Sequence, residues 1–380
     1  MKIKLLLPFL FSVLCINAQD VQSLLSSYQY DKAATLLEGN DSLLTNQKMQ
    51  QTLAGVYEKL GRQNEALELY NIILEKDGTS VEVLMRKGML LLKQKDITNS
   101  LLCFEKLIDL QHDNSYFYQL AGQVAAEEPL FIGKALNYYK TGLELNPKNQ
   151  EIALRYGNIL LELKQATAAS NVAHQFLKTD STNKNMLLLD ARAAYLKKDY
   201  KRVIKHTNRI LAYGDTSLQG VRLLALSKYH QKEYSESIFW LEKLITSSQK
   251  EQMLFYLSMA HFRLDHLAEA EKYMKMAVES SISPNLGDYY TQLGVLSEAK
   301  GSDRDAITYF KKAYELTHNE DLLYRLALIS EDYYKDKGIA EGYYETYLNQ
   351  SDSSKTFYRE YAQERLNDLK AARFFTTDSI

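Results

Sequence analysis

The residues that could carry out chemistry are few, and they are scattered along the chain. No two of the seven histidines lie four residues apart, the spacing that places two metal ligands on one helix face. His261 and His266 are five apart, which on a single helix directs their side chains to different faces. The sequence contains no glycine-rich phosphate loop, nucleophile elbow or paired-cysteine motif. We therefore predict a protein that is not an enzyme and that has neither a metal ion nor a cofactor.

The N-terminal residues have the order of a secretory signal peptide. Two lysines in the first four residues precede an apolar stretch at residues 5–16, and Asn17 and Ala18 follow it. We predict a signal peptide at residues 1–18, cleaved after Ala18, and hence export to the periplasm of a double-membraned bacterium. No later stretch approaches the roughly 20 apolar residues of a membrane-spanning helix, so we expect no membrane span.

The two cysteines have different expected roles. Cys15 could be lipidated, which would attach the protein to the outer membrane, but Leu14 stands where a lipobox has a small residue. Cys103 adjoins Phe104 in an apolar helical stripe, so we expect it to be a small buried side chain rather than a redox group.

The composition is that of a folded, helical protein without a general affinity for nucleic acid. Hydrophobic residues make up 46% of the chain, charged residues 25%, and there are only four prolines. Removal of the leader would leave 44 Lys and Arg against 48 Asp and Glu, a net charge of −4. That balance provides no overall basic field for nucleic acid.

An internal repeat of about 34 residues organises the chain. Residues 52–74 recur in outline at residues 86–108, and one column of mostly small residues keeps this period along the sequence. A second small-residue column lies about twelve positions earlier, and turn-forming residues separate the two. Each repeat is therefore predicted to be a helical hairpin whose two helices approach closely at the small residues. The later column is Ala66, Ser100, Ala135, Ala169, Val203, Ser237, Ala270, Ala306 and Ala340.

This pattern resembles the tetratricopeptide repeat (TPR) family. Tyr57, Ala66 and Tyr70 match the family pattern in one repeat, and Ala306 and Phe310 match it in another. The resemblance implies an all-α, right-handed solenoid of about nine hairpins with a C-terminal capping helix. We predict a truncated first repeat at residues 19–46, the solenoid at 47–354, the capping helix at 355–373 and a tail at 374–380.

The resemblance also implies a function, because first helices in this family line a groove that binds protein partners. We expect a non-enzymatic scaffold that binds a protein or peptide segment, of unknown identity, in this groove. Two alternatives are an outer-membrane-associated assembly component, tethered by lipid or by a partner, and a glycan-binding protein that stacks sugars on some of the 28 tyrosines. Transferred by position, the expected groove residues are Arg192, Tyr195, Arg222, Tyr229, His230, Phe255, Met259, Phe262 and Arg263.

Overall fold

The computed structural model describes residues 18–40, 42, 45–245, 250–280, 284–352 and 356–377. Within these ranges the regular elements are all helices, and no strand occurs. The predicted all-α fold of TPR-like hairpins is therefore confirmed. The predicted signal peptide up to Asn17, including Cys15, lies outside the described residues.

The chain divides into two compact units, residues 1–163 and residues 164–380. In the first unit, α3 packs on α4, α5 on α6, and α7 on α8 as hairpins, and α9 packs on α8. A short 3₁₀ turn, Pro129–Phe131, precedes α8. The helices of this unit are α1 (Ala18–Ser26), α2 (Tyr30–Glu38), α3 (Gln47–Leu60), α4 (Gln63–Lys76), α5 (Val81–Lys93), α6 (Ile97–Leu110), α7 (Ser115–Ala125), α8 (Ile132–Leu145) and α9 (Gln150–Glu162).

The second unit continues the same scheme. Here α10 packs on α11, and the hairpins α11/α12, α13/α14, α15/α16, α17/α18 and α19/α20 follow, with α21 packed on α20. The helices are α10 (Ala166–Leu177), α11 (Lys184–Leu196), α12 (Tyr200–Ala212), α13 (Leu218–His230), α14 (Tyr234–Glu242), α15 (Lys250–Arg263), α16 (Leu267–Ser280), α17 (Leu286–Ala299), α18 (Asp303–Thr317), α19 (Asp321–Tyr333), α20 (Gly338–Gln350) and α21 (Thr356–Thr377).

The predicted small-residue columns are the places where helices touch. All nine residues of the later column have 0% relative exposure. In three hairpins a glycine on the facing helix leaves room for an aromatic ring four residues beyond the later column. A Cβ added at Gly88 would lie 2.9 Å from the Phe104 ring, and one at Gly122 would lie 2.7 Å from the Tyr139 ring. A larger side chain at these glycines would push the helices apart.

In some repeats a serine occupies a column position, and its hydroxyl donates a hydrogen bond to a backbone carbonyl of the facing helix. The Ser100 hydroxyl donates to the Gly88 carbonyl at 2.7 Å, and the Ser258 hydroxyl donates to the Ala270 carbonyl at 2.6 Å. These buried polar groups are therefore paired, and a serine can replace alanine at this contact without an unsatisfied hydroxyl.

The tight turn inside most hairpins contains one residue in the left-handed backbone conformation. Gly61 and Gly301 fill this position with φ of 77° and 71°. In other hairpins a lysine occupies it, as at Lys198 with φ of 58° and Lys232 with φ of 65°. A side chain makes this conformation sterically unfavourable, so the lysines are the less stable choice.

The C-terminal helix α21 covers the end of the second unit. Ala362, Leu366 and Leu369 are buried in a cluster with residues of α19 and α20. Tyr358 and Tyr361 of the same helix are 51% and 42% exposed. The helix also continues to Thr377, beyond the predicted boundary at residue 373. Among all helices of the described residues, none is long and apolar enough to cross a membrane.

Ala270 offers a direct test of the helix contact. We expect Ala270→Arg to lower the free energy of unfolding by at least about 3 kcal/mol, because the side chain is fully buried and a charge would have no room or partner. Urea unfolding followed by circular dichroism measures this. Ala268→Arg, on the exposed face of the same helix, is the control and should change stability by less than about 0.5 kcal/mol. Equal stability of the two variants would disprove the predicted register.

Candidate protein-interaction surface

The expected groove residues all lie in the second unit, on α11, α13 and α15. Arg263 is exposed, and the other eight are half-buried. Tyr195, Tyr229 and Arg263 are separated by 34 residues at each step, so they occupy the same position in successive repeats. The structure thus places these nine residues on three first helices, and α13 packs against both α11 and α15.

Three of them, Tyr195, Tyr229 and His230, belong to one continuous group of rings. The His230 ring stacks on Tyr200 with centroids 4.5 Å apart and an angle of 13° between ring planes. Tyr195 meets both of these rings edge-on, at 5.7 Å from Tyr200 and 6.3 Å from His230. Tyr229 meets Tyr256 edge-on at 5.2 Å. We call Tyr195, Tyr200, Tyr229, His230, Tyr234 and Tyr256 the aromatic surface.

Burial sets the protonation states of the aromatic surface. It raises the pKa of Tyr195 to about 12, with smaller contributions from Tyr256 and Tyr200, while Arg222 acts in the opposite direction. Burial also lowers the pKa of His230, and the nearby Lys198 ammonium lowers it further. Both shifts favour the neutral form of these two rings at neutral pH.

Phe255, Met259 and Phe262 are part of the packing as well as of the surface. All three are partly buried against a cluster that contains Met274 and Leu293. Phe255 also stacks on Tyr289 with centroids 5.3 Å apart. Their remaining exposure leaves only part of each side chain available to a partner.

Two arginines next to the rings have no carboxylate partner. Arg263 forms a hydrogen bond to Tyr229 that opposes the rise of that tyrosine's pKa on burial. Arg222 lies near Tyr195. Neither guanidinium is within ion-pair distance of a carboxylate in the part of the chain that the structure describes, whereas Arg62, Arg86 and Arg325 each have one. Positive charge is thus available beside the aromatic surface.

The groove residues expected from family position do not include three rings of the aromatic surface. Tyr200 and Tyr234 begin second helices, so a search restricted to first helices omits them. Tyr256 lies on α15 and starts a column at intervals of 34 residues, a signal that was available in the sequence. The further members of this column are Tyr290, Tyr324 and Tyr358.

The prediction that His261 and His266 face apart was wrong. Their Nδ1 atoms are 3.4 Å apart because α15 ends at Arg263 and a turn with Asp265 at φ of 62° reverses the chain between them. His261 is buried and stacks on Tyr273. Within the described ranges there is no group of three or more His, Cys, Asp or Glu side chains that could hold a metal ion. Cys103 is buried, as expected.

A buried carboxylate in the second unit was not anticipated. Asp190 has no exposed surface and accepts hydrogen bonds from Ser170 Oγ at 2.7 Å and Arg202 Nε at 2.9 Å. His206 Nε2 lies 2.8 Å from the same carboxylate, and His174 Nε2 lies 3.2 Å away. Burial would raise the pKa of Asp190, but the hydrogen bonds and Arg202 hold it well below its usual range. The serine hydroxyl donates to the aspartate rather than to a histidine, so these residues do not form a serine–histidine pair.

Comparison with known proteins agrees with the hairpin geometry. The tetratricopeptide repeat family model matches residues 81–114 and 287–319, which contain the α5/α6 and α17/α18 hairpins. The match covers two of the repeated hairpins, so these hairpins are similar to tetratricopeptide repeats.

Curated relatives share only part of their length with the chain. Anaphase-promoting complex subunit 3 of Schizosaccharomyces pombe is 22% identical over 251 residues, which are 65% of this chain and 37% of that protein. The DnaJ homolog subfamily C member 7 homolog of Dictyostelium discoideum is 24% identical over 243 residues, 57% of this chain and 45% of that protein. The chain therefore spans less than half the length of either relative.

Among solved structures, a tetratricopeptide repeat protein from Parabacteroides merdae is similar to this chain. The identity is 18%, the TM-score is 0.48, and the match covers 66% of this chain and 98% of that protein.

The lowered pKa values of His230 and His261 predict a loss of stability in acid. Burial is the main cause of the lowered pKa in both histidines. The positive charge of a neighbouring group lowers it further, Lys198 for His230 and His266 for His261. The unfolded chain therefore binds protons more readily, so stability is complete above the unfolded pKa of about 6.5 and decreases as the pH falls through it. Replacing both histidines by phenylalanine, which can keep the ring contacts, should reduce the decrease in Tm between pH 7.5 and pH 5.5.

The control for this experiment is a histidine in an exposed position. His112→Gln should leave the pH dependence of Tm as it is in the wild-type protein. A double phenylalanine variant with an unchanged pH dependence would show that the two buried imidazoles do not limit stability in acid.

Proposed function

We propose that this protein is a non-enzymatic scaffold that binds a segment of a partner protein across α11, α13 and α15. The match of two hairpins to the tetratricopeptide repeat family model supports this role. The observation that carries the proposal is the combination of half-buried rings with two arginines that lack a carboxylate partner among the described residues. Aromatic and arginine side chains supply a large share of the binding energy at protein interfaces.

The packing of the rings favours binding in a preformed conformation. Each ring of the aromatic surface contacts at least one other ring, so its rotamer is restricted before a partner arrives. A restricted side chain loses less conformational entropy on binding than a free one. A partner segment could therefore place apolar side chains against the rings, and its acidic groups would pair with Arg222 and Arg263.

Charge reversal at the two arginines tests this surface. We expect Arg222→Glu with Arg263→Glu to weaken partner capture at least tenfold, because both guanidinium groups would become carboxylates facing the acidic groups of the partner. Capture is measured by photo-cross-linking from Tyr256, replaced by a photoreactive phenylalanine, in extract of the native host, followed by quantitative mass spectrometry. Circular dichroism should show unchanged helicity.

An exposed arginine on α18 provides the matched control. Arg304→Glu changes the same type of residue in the same unit and should leave capture unchanged. Undiminished capture by the double reversal would exclude these arginines from the interface. Tight binding of a glycan that depends on the aromatic surface would favour the glycan-binding alternative.

We further propose that the protein is exported and acts in the periplasm. The order of basic, apolar and small residues at positions 1–18 supports this location. Mass spectrometry of the protein from its host is expected to show a mature chain that begins at Gln19, with a free or cyclised glutamine. A diacylated Cys15 would instead establish attachment to the outer membrane, and an intact Met1 would contradict export.

A further inference from the structure

Positive charge is concentrated at the start of the second unit. Between Lys164 and Arg209 the sequence contains ten Lys and Arg but only three Asp and Glu, a net charge of +7. The whole chain has a net charge of −2, so the remainder is acidic. The helices α10, α11 and α12 therefore form a local basic region that the total charge conceals.

The lysines of this region are exposed to solvent and form no ion pair within the described part of the chain. Lys164, Lys197, Lys198, Lys201 and Lys205 are all exposed. None of them is within ion-pair distance of a carboxylate in the described part of the chain. The region's three arginines, Arg192, Arg202 and Arg209, are half-buried instead. Arg202 bonds to Asp190, and Arg209 bonds to the Ser181 carbonyl. The available charges are thus ammonium groups.

Three lysines occupy the same strained position in successive turns. Lys164, Lys198 and Lys232 are 34 residues apart, each exposed, with φ of 58°, 58° and 65°. Glycine fills this position without steric conflict at Gly61 and Gly301 in other hairpins. Residues kept in a sterically unfavourable conformation are concentrated at functional sites. We call Lys164, Lys198 and Lys232 the lysine row.

The lysine row adjoins other features that a ligand could use. A cavity of about 490 Å³ is lined by Lys164 and Lys197 together with the first turn of α10. Lys198 is close enough to His230 to lower its pKa, so the row reaches the edge of the aromatic surface. One extended chain could therefore contact both.

We propose that the lysine row and the neighbouring basic face of α10 to α12 bind an acidic segment of a partner protein. Its carboxylates would pair with the ammonium groups. Two of the region's half-buried arginines, the side-chain type that reads nucleic-acid bases, already bond to Asp190 and to the Ser181 carbonyl. Continuity with the aromatic surface favours a protein chain over a lipid surface. This interaction is separate from the proposed arginine and aromatic contacts, so either can fail while the other holds.

The test uses a variant that removes the charge without straining the fold. Lys164→Gly, Lys198→Gly and Lys232→Gly are combined in the full-length protein, and binding of a fluorescein-labelled decaglutamate peptide is measured by fluorescence anisotropy. We expect at least tenfold weaker binding than in the wild-type protein, and weaker wild-type binding when salt is raised from about 50 mM to about 200 mM. The Tm should stay the same or rise, because glycine adopts the required φ freely.

Lys95→Gly is the matched control, since Lys95 has the same turn conformation with φ of 62° but lies outside the basic region. It should leave peptide binding unchanged. Equal binding by the triple variant, or no binding by the wild-type protein, would overturn the proposal. Tighter, row-dependent binding of phosphatidylglycerol vesicles or of single-stranded oligothymidine than of decaglutamate would also overturn it, in favour of a lipid or nucleic-acid ligand.

Discussion

Close approach of two helices at small residues is the contact on which the rest of this structure depends. Where Gly88 faces Phe104 and Gly122 faces Tyr139, there is no space for even one additional methyl group. This contact fixes the distance between the helices of a hairpin, and its repetition fixes where each following helix lies. The half-buried rings of α11, α13 and α15 can meet one another only because the helices that carry them are held at that distance.

The fold was predictable from the sequence because its determining residues recur at regular intervals. A small residue that reappears every 33 to 36 positions is rare by chance, and each member of the later column proved to be fully buried. The candidate surface was only partly predictable. Family position identified Tyr195 and Tyr229, but Tyr200 approaches them through a turn whose path is not encoded in a single-helix pattern. The same limitation explains the error at His261 and His266.

Asp190 shows how a repeat can depart from the pattern without losing the fold. A buried carboxylate is unfavourable by itself, but Ser170 of α10 and Arg202 and His206 of α12 surround it with hydrogen-bond donors. Such a network holds α10, α11 and α12 together by directional contacts, where other repeats use apolar contacts. It also withdraws Arg202 from the surface, which leaves the lysines as the exposed charges of this region.

The contrast between repeated and unrepeated features separates stability from function in this molecule. The small-residue columns occur throughout the chain, because every hairpin needs them to pack. Arg222, Arg263 and the exposed lysines of the basic region are confined to part of the second unit, and none of them forms an ion pair among the described residues. Lys164, Lys198 and Lys232 occupy turns where glycine would relieve steric strain, but Lys95 does the same outside the basic region. Strain at the turn therefore does not distinguish the three lysines, whereas the concentration of unpaired ammonium groups around α10 to α12 is a feature that folding does not require.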